Sequence, residues 1–285
     1  MNNCNLCPNK CNVDRNISIG FCGVNNKLKI AKYYLHKFEE PIISGTNGSG
    51  TIFFTGCSLK CVFCQNYELS RNSRGKEISI NELVDIFKEL EGLKAHNINL
   101  VTATHFSLQI IKALEIYKPQ IPIVYNTHGY ETIENLKMLD EYVDVYLPDL
   151  KFYSSELSKR YTGKQNYFEI ASKAVEFMSK KPIIFGKDGL MKSGTIVRHL
   201  VLPQGVSDSK NILDFFSTIK DNAYLNVMSQ YTPFGETDKF PELKRKITNR
   251  EYQAVIDYAL SLGIDKMFYQ NTKSADTSYI PKWDY

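Results

Sequence analysis

The chain of 285 residues has no long apolar run. No stretch approaches the roughly 18 to 20 consecutive apolar residues that a membrane-spanning helix requires. The first residues of the chain are polar and lack the apolar core of a secretory signal. We therefore expect a cytoplasmic protein that does not associate with membranes.

The chain also lacks an excess of charge of one sign. It has 35 Lys and Arg side chains against 31 Asp and Glu side chains, a net charge of +4, and the two signs alternate along most of its length. A nucleic-acid-binding surface would need a basic patch or stripe. We expect no nucleic-acid partner, and a small molecule or a peptide instead.

Cysteine is absent after residue 64, although the chain has seven cysteines before that point. In a reducing compartment, clustered cysteines indicate metal binding rather than disulfides. Their spacing separates them into two sets. The four-cysteine group, with the pattern C-x2-C-x3-C-x10-C, consists of Cys4, Cys7, Cys11 and Cys22. The three-cysteine loop, with the pattern C-x3-C-x2-C, carries Cys57, Cys61 and Cys64.

The composition of the sequence changes after a loop rich in Gly and Ser at residues 44–50. We expect residues 1–45 to form an irregular, Cys-rich metal-binding segment and residues 46–285 to form a second, α/β domain. The six predicted strands, all short apolar runs, cover residues 51–56, 97–103, 121–126, 143–147, 195–202 and 224–228. The predicted helices that follow them cover residues 79–90, 106–117, 131–139, 167–180, 209–220 and 249–262.

The predicted strands are continuously apolar rather than alternating, which is typical of parallel strands buried on both faces. Six strand-then-helix units favour a closed or partial β/α barrel, or a doubly wound sheet. In either architecture the chemistry lies at the C-terminal ends of the strands.

The three-cysteine loop directly follows the first predicted strand. Three thiolates on so short a loop can ligate three irons of a 4Fe–4S cluster and leave the fourth iron without a protein ligand. That iron can chelate the amino and carboxylate groups of S-adenosylmethionine (SAM), and electron transfer into the sulfonium then yields a 5′-deoxyadenosyl radical. A zinc knuckle is the alternative, but zinc normally takes four ligands and the loop supplies no fourth.

The chain resembles a known family at these motifs. The segments that carry the resemblance are GSGTIFFTGCSLKCVFCQN, VTATH, YNTHGYE, VYLPDLKF, VRHLVLP and NVMSQYTP, together with the N-terminal CNLCPNKCNVDR and GFCG. They are similar to the radical SAM superfamily and, more narrowly, to its pyruvate formate-lyase activating enzyme-like subgroup, over nearly the whole chain.

The resemblance implies an enzyme of a particular kind. The expected fold is a partial (β/α)6 barrel with a C-terminal extension, and the expected cofactors are a 4Fe–4S cluster and SAM. The expected activity is that of an anaerobic oxidoreductase that abstracts hydrogen from a protein or peptide, such as a glycyl-radical enzyme. A flavodoxin or a ferredoxin-type protein would supply the electron.

Several residues at the early strand ends are expected to bind the cofactor by this resemblance. Phe63, just before the last cysteine of the loop, would contact the adenine. Thr104 and His105 stand where the family has a Gly-Gly-Glu motif, so that hydroxyl and carbonyl acceptors would replace its carboxylate. Asn126 closes the third predicted strand and is expected to bind the cofactor too.

Charged residues lie at the end of the fourth predicted strand and inside the fifth. Asp149 and Lys151, in a PDLK sequence, would contact SAM or an adjacent polar network. Arg198, inside the fifth predicted strand, would pair with the SAM carboxylate as a bidentate fork.

Other strand-end residues are expected to face the substrate. They are His128, His199, Gln230 and Tyr231. Taken singly, each has a structural alternative, since a lone histidine or tyrosine often satisfies a purely structural role. Their position at the ends of separate predicted strands, where barrel sites are built, favours function.

The four-cysteine group predicts a second metal site. Four thiolates so close together make a closed site for structural zinc or for an auxiliary 4Fe–4S cluster. The segment has little apolar material and would gain its order chiefly from the metal. Zinc is slightly favoured because nothing in the segment points to a redox partner.

Three functions remain open at this point. The first is hydrogen abstraction from a glycine of a protein or peptide. The second is radical modification of another peptide residue or of a small metabolite. The third is a non-catalytic metal-binding scaffold or electron carrier, which the six strand-end motifs disfavour because a carrier needs no barrel.

Overall fold

The computed structural model describes residues 3–269 of the chain. The strands are β1 (Lys29–His36), β2 (Ser49–Phe54), β3 (Lys76–Glu77), β4 (Ile98–Val101), β5 (Ile123–Thr127), β6 (Val145–Pro148), β7 (Ile184–Phe185), β8 (Met191–Leu200), β9 (Tyr224–Met228) and β10 (Met267–Tyr269). The helices are α1 (Pro41–Ser44), α2 (Tyr67–Asn72), α3 (Ile80–Gly92), α4 (Ser107–Ile116), α5 (Ile133–Leu139), α6 (Ser155–Thr162), α7 (Tyr167–Met178), α8 (Val206–Ser217) and α9 (Asn249–Ser261). Short 3-10 helices cover Thr104–Phe106, Thr237–Lys239 and Pro241–Lys244.

The six predicted strands all form, as β2, β4, β5, β6, β8 and β9, and they lie side by side in chain order. Each pairs with the next in parallel, and β10 continues the parallel series beyond β9. At the other end of the sheet, β1 lies antiparallel to β2. This α/β architecture confirms the predicted partial barrel of the radical SAM type.

The helix α3, which follows β3, shows how local sequence determines where an element begins. The Ser79 hydroxyl accepts a hydrogen bond from the backbone N–H of Glu82, and the Glu82 carboxylate accepts one from the backbone N–H of Ser79. This reciprocal capping box starts α3 where the sequence predicts it. The helix then buries one stripe against the sheet, formed by Leu83, Val84, Ile86, Phe87 and Leu90.

The structure adds elements to the expectation, among them α2, β3 and β7, and differs from it most in three places. The segment expected to be irregular contains β1, so the sheet begins before residue 45. The helix α6, which starts at a Ser154 cap, was not predicted. The fifth predicted strand begins earlier, at Met191, because β7 and β8 form a hairpin there. Residues 270–285, part of the predicted C-terminal extension, lie outside the described residues.

The barrel encloses a cavity of about 820 Å³, the large cavity, at the C-terminal ends of its strands. A smaller cavity of about 260 Å³ lies beside the segments that follow β6 and β8. Within residues 3–269 no helix is both long enough and apolar enough to cross a membrane.

Candidate active site

The three-cysteine loop forms one wall of the large cavity, and all of its cysteines line it. The backbone N–H groups of Leu59 and Lys60 donate to Sγ of Cys57 at 3.4 and 3.5 Å. Burial raises the pKa of each thiol of the loop, while the charge of Lys151 opposes that rise at all of them. Such buried thiols ionise readily only beside a positive partner, and amide donors to sulfur are typical of iron–sulfur ligands. The loop therefore fits a 4Fe–4S cluster.

Opposite the loop, the residues after β6 and inside β8 form a charged network. Asp149 Oδ2 accepts from Lys151 Nζ at 2.6 Å, and Oδ1 accepts from Arg198 Nε at 2.8 Å. A second donor of the guanidinium, Nη2, bonds Asn126 Oδ1 at 2.6 Å. Burial alone would raise the pKa of Asp149, but the two cations hold it below its usual value. All four predicted residues thus meet on the large cavity.

The same guanidinium faces two carboxylates that the sequence analysis missed. Nη1 of Arg198 lies 3.5 Å from Glu39 Oε2 and 4.0 Å from Glu40 Oε1. These two residues, the acidic pair, precede α1 and also line the large cavity. Two acids just before Pro41 ordinarily indicate the start of a helix, so no sequence pattern points to a site there. Each nitrogen of the Arg198 guanidinium already faces a protein oxygen, so a fork onto SAM would compete with these contacts.

His128 also lines the large cavity and bridges to the three-cysteine loop. Its Nδ1 accepts from the backbone N–H of Tyr130 at 3.1 Å, so Nε2 carries the proton and donates to Ser58 Oγ at 2.7 Å. Burial lowers the pKa of His128 to about 3, and the ring is neutral. This contact joins the end of β5 to the loop. Gln230 lines the large cavity as well, after β9.

Phe63 is buried and lines the large cavity, but it also belongs to an aromatic cluster. Its ring centroid lies 6.0 Å from that of Phe152 and 6.2 Å from those of Tyr161 and Tyr231. Tyr231 itself does not line the large cavity, because its hydroxyl donates to the Leu243 carbonyl at 2.7 Å within the core. The predicted substrate contact of Tyr231 is therefore corrected to a packing role.

Thr104 and His105, predicted to replace the Gly-Gly-Glu motif, do not line the large cavity. The chain turns at Thr102, which has a φ of 58°, and carries them into a 3-10 helix below the strand end. Thr104 Oγ1 donates to Glu131 Oε1 at 2.6 Å, and His105 Nε2 bonds the Thr55 carbonyl at 2.7 Å. Instead, Thr102 lies on the cavity wall. We leave Thr104 and His105 out of the cofactor contacts.

His199 lies on the opposite face of β8 from Arg198, because side chains alternate along a strand. Its Nδ1 donates to the Leu150 carbonyl and its Nε2 accepts from Ser209 Oγ, both at 2.8 Å. Burial lowers its pKa to about 4. His199 lines the smaller cavity rather than the large one, so the predicted contact with a substrate there is corrected.

Glu131 is a third residue that the sequence analysis did not single out. Its carboxylate accepts from Thr104, from Thr127 and from the Tyr125 hydroxyl, and so ties together the ends of β4 and β5. Burial raises its pKa to about 7. A single Glu at the start of a predicted helix gives no sign of this network, which depends on long-range packing.

The sequence of residues 51–199 matches the model of the radical SAM superfamily. The chain belongs to the radical SAM superfamily. This match covers the three-cysteine loop and the charged network, which are the features that the geometry brings to one cavity.

Similar proteins agree with this assignment. The chain is 33% identical to the uncharacterized protein MJ0674 of Methanocaldococcus jannaschii over 275 residues, which is 93% of this chain and 77% of that one. It is 27% identical to the pyruvate formate-lyase-activating enzyme of Clostridium pasteurianum over 198 residues, 66% of this chain and 76% of that one.

Solved structures show the same fold. SuiB of Streptococcus suis, bound to its precursor peptide SuiA, superposes with a TM-score of 0.52 at 15% identity. The match covers 75% of this chain and 46% of SuiB, so the chain spans about half the length of that protein. Methylornithine synthase superposes with a TM-score of 0.50 at 17% identity, over 75% of this chain and 60% of that one. As a radical SAM protein the chain is an enzyme, and the family implies a 4Fe–4S cluster and SAM.

The four-cysteine group lies outside the matched residues and outside the large cavity. Three of its thiols are buried and that of Cys11 is partly exposed. A Cβ at Gly20 would lie 3.5 Å from Sγ of Cys22 and 3.6 Å from Sγ of Cys11, so these two sulfur atoms flank one glycine. The thiol of Cys22 also interacts electrostatically with that of Cys4, and the thiol of Cys7 with that of Cys22. The fold therefore gathers all four cysteines.

The four-cysteine group is attached directly to the three-cysteine loop. The backbone N–H of Cys57 donates to the Cys22 carbonyl at 3.1 Å, and Asn9 Nδ2 donates to the Ser58 carbonyl at 2.7 Å. Gly56, with a φ of 91°, permits this approach, because a Cβ there would lie 2.7 Å from the Cys22 carbonyl oxygen. The order of one group is thus coupled to the position of the other.

Proposed function

We propose that this protein is a radical SAM enzyme that holds its 4Fe–4S cluster on the three-cysteine loop, binds SAM in the large cavity and abstracts hydrogen from a protein or peptide. When bound, the cluster and SAM supply a 5′-deoxyadenosyl radical. The observation that carries the proposal is the placement of Cys57, Cys61 and Cys64 together on the wall of a cavity of about 820 Å³.

The protein residues position and neutralise charge in this site. Asp149 stays ionised between Lys151 and Arg198, so it fixes both cations at the ends of β6 and β8. The positive charge of Lys151 in turn opposes the rise that burial causes in the pKa of the loop thiols. The neutral His128 gives its only proton to Ser58, so it orients the loop rather than donating a proton into the cavity. Phe63 offers an aromatic face on the same wall.

The choice of a protein or peptide substrate rests on the similarity to a pyruvate formate-lyase-activating enzyme. It favours a glycyl-radical enzyme as the target and a flavodoxin or a ferredoxin-type protein as the electron donor. The cavity volume is near the upper end of the roughly 300–1,000 Å³ of small-molecule sites, which leaves space for part of a substrate beside the cofactor. We place the enzyme in an anaerobic cytoplasm, where thiols stay reduced.

A second candidate keeps the radical and changes the target to another peptide residue or to a small metabolite. The same cavity would serve it. A neighbouring gene for a glycyl-radical enzyme would favour the first target, and one for a short precursor peptide would favour the second.

The proposed function is tested by anaerobic reconstitution with iron, sulfide, SAM and a reductant. We expect the wild-type protein to release 5′-deoxyadenosine, measured by liquid chromatography. The triple variant Cys57→Ala, Cys61→Ala, Cys64→Ala should release none above the protein-free blank. Continued release by a folded triple variant would contradict the proposal.

We further propose that residues 1–45 carry a second metal site at the four-cysteine group. The backbone N–H of Cys57 donates to the Cys22 carbonyl at 3.1 Å, so the four-cysteine group lies beside the loop that would hold the first cluster. A redox partner is therefore at hand, which favours an auxiliary 4Fe–4S cluster over the zinc that the sequence slightly favoured.

Metal analysis of the anaerobically purified protein tests the second site. We expect about eight irons per chain, four at each site. Four irons and one zinc would overturn the choice of metal, and four irons with no other metal would overturn the site itself. Cys4→Ala should lower the iron content by about four per chain.

A further inference from the structure

The acidic pair occupies an unusual position in the large cavity. The exposed fraction is 10% for the side chain of Glu39 and 4% for that of Glu40. Both carboxylates come from the segment between β1 and α1, which the superfamily match does not include. Their nearest described partners are on β8 and β9, at the far end of the row of strands from β2 and its three-cysteine loop.

The hydrogen bonds of the acidic pair are incomplete. Glu40 Oε1 accepts from Asn226 Nδ2 at 3.0 Å. Among the described residues no donor reaches Glu40 Oε2 or Asn226 Oδ1, although both atoms are buried. Because Glu40 can only accept, Asn226 must turn its amide nitrogen toward it and its oxygen away. These two unpaired oxygens, on adjacent residues of the cavity lining, are costly to bury unless a proton on the Glu39 carboxyl or a ligand supplies a donor.

The charges of this region are also unbalanced. Two buried cations, Lys151 and Arg198, face three carboxylates, those of Asp149 and the acidic pair. Lys37, the remaining lysine of the lining, lies on the exposed rim. Burial and the charge of Glu40 raise the pKa of Glu39 to about 8. Although Arg198 Nη1 lies 3.5 Å away, Glu39 therefore keeps a proton near neutral pH.

A ligand that completes this site must bring positive charge and N–H donors together. A metal ion suits it poorly, since among the described residues of the lining the only carboxylates left to bind one are those of the acidic pair, Asp149 being bonded to Lys151 and Arg198. The ammonium of SAM does not suit it either, because the amino group of SAM is expected on the open iron beside the three-cysteine loop.

We propose that Glu39 and Glu40, with Asn226, bind a protonated amine or guanidinium group of the substrate. This inference rests on the proposed function for the position of SAM, and it narrows the substrate to one with a cationic nitrogen. A lysine or arginine side chain, an amino terminus of a peptide and the amine of a metabolite share this chemistry.

The test measures binding rather than turnover. The reconstituted protein with SAM is titrated calorimetrically with N-acetyl-lysine amide and with N-acetyl-norleucine amide, which has a similar length and no charge. We expect the lysine amide to bind at least about tenfold more tightly, since a buried charge pair distinguishes a cation from an apolar chain by more than about 1.4 kcal/mol. Equal binding of the two amides would overturn the inference and leave the acidic pair as a structural couple that shares a proton.

Variants assign the preference to the acidic pair. Glu40→Gln should remove the preference for the lysine amide, and Glu39→Gln, at the more exposed position, should reduce it. Glu131→Gln is the matched control, because it neutralises a buried glutamate that does not line the large cavity, and the preference should persist. The unfolding midpoint of each variant verifies folding. A preference that survives in both folded Glu39 and Glu40 variants would overturn the inference.

Further probes separate the sources of the cation. Tighter binding of N-acetyl-arginine amide would assign a guanidinium, and tighter binding of glycine ethylamide, with its free α-amine, would assign an amino terminus. Binding of n-butylammonium as tight as that of the lysine amide would assign a small amine without a peptide frame. A protein that shows the preference but cleaves no SAM would contradict the proposed function alone, whereas cleavage without the preference would contradict this inference alone.

Discussion

The two sets of cysteines are built from the same residue type and are about equally buried, yet they differ in what lies beside them. The three-cysteine loop borders a cavity of about 820 Å³ lined by charged strand-end residues. The four-cysteine group does not line that cavity and is packed between the loop and the barrel. We propose that a missing ligand beside an open space specifies chemistry at the loop, whereas a full set of four ligands outside the cavity serves a supporting role.

The two sets are also physically joined. The hydrogen bond from Cys57 to the Cys22 carbonyl and the contact of Asn9 with Ser58 link their backbones. Arg15, fully buried, anchors the segment from the other side by donating to the His105 and Asn25 carbonyls. Loss of metal at the four-cysteine group is therefore expected to disturb the loop without removing its ligands.

The largest expected effect separates the two sets by activity. Cys57→Ala removes a ligand of the open cluster, so 5′-deoxyadenosine release should fall by more than the roughly 100-fold typical of losing a partner outside the ligand shell. Cys11→Ala, the matched change in the four-cysteine group, should lower release by less than about 10-fold. Liquid chromatography of single-turnover reactions measures both. Equal losses would erase the distinction between an open and a closed site.

The next effect concerns the charged network that only the open site has. Asp149→Asn leaves Lys151 and Arg198 buried without their shared counter-charge, and it should lower the free energy of unfolding by about 3 kcal/mol. Asp188→Asn removes an exposed i,i+4 partner of Lys192 and should change little. Urea denaturation compares the two. Similar midpoints for both variants would show that the network contributes no more than a surface ion pair.

A smaller effect probes the junction between the two sets. Gly56→Ala adds a side chain to a residue with positive φ and places its Cβ against the Cys22 carbonyl. The variant should therefore lower the free energy of unfolding by about 1–3 kcal/mol and lower the iron content. Gly163→Ala has a similar φ of 73° and no atom within 4 Å of the added Cβ. This control retains only the backbone strain. If the two variants behave alike in thermal unfolding and in iron content, the junction is not a close contact.

The smallest expected effect is the contribution of the buried histidines to the pH dependence of stability. Burial lowers the pKa of His105 and His128 to about 3 and that of His199 to about 4. Each unfolded histidine takes up a proton below about pH 6.5, whereas the folded one does not. The stability that this represents is present above that pH and is lost as the pH falls toward the folded pKa, at about 1.4 kcal/mol per pH unit for each histidine.

His199→Gln should therefore reduce the slope of the free energy of unfolding against pH, between pH 6.5 and 5. The reduction should be about 1.4 kcal/mol per pH unit, the contribution of one proton. Because His199 lies outside the large cavity, the same variant should leave the affinity for SAM unchanged. An unchanged pH slope would show that His199 titrates normally in the folded protein.

Much of the fold follows from local patterns in the sequence. The apolar runs of β2, β4, β5, β6, β8 and β9 and the capping box at Ser79 and Glu82 act over short distances, so the sequence predicts them. The sequence does not predict β1, because only Ile30 of this strand is buried and the strand lies in a segment dominated by cysteine, asparagine and lysine. The helix α6 was missed because it is short and polar on most of its surface.

The site was predictable where strand direction and cysteine spacing suffice. Asn126, Asp149, Lys151 and Arg198 converge because the strands are parallel and their ends share one edge. His199 could have been separated from Arg198 by the alternation of side chains along a strand. The turn that withdraws Thr104 and His105 has no comparable sequence signal.

The acidic pair depends on distance along the chain. Glu40 and Asn226 are 186 residues apart, and only the closure of the barrel brings them together. Glu40 belongs to none of the segments that carry the family resemblance, and a carboxylate before a proline indicates a helix start before it indicates a site. Contacts of this kind can be recognised only once the folded structure is known.

The comparison between an open and a closed cysteine site is tested most directly by electron paramagnetic resonance of the reduced, anaerobically reconstituted protein before and after addition of SAM. The account predicts that the signal of the cluster on Cys57, Cys61 and Cys64, isolated in a variant with the four-cysteine group replaced by alanine, changes when SAM binds. The signal of the four-cysteine group, isolated in the triple variant of the loop, should not change. A loop cluster whose signal is indifferent to SAM, or a four-cysteine signal that responds to it, would contradict the account.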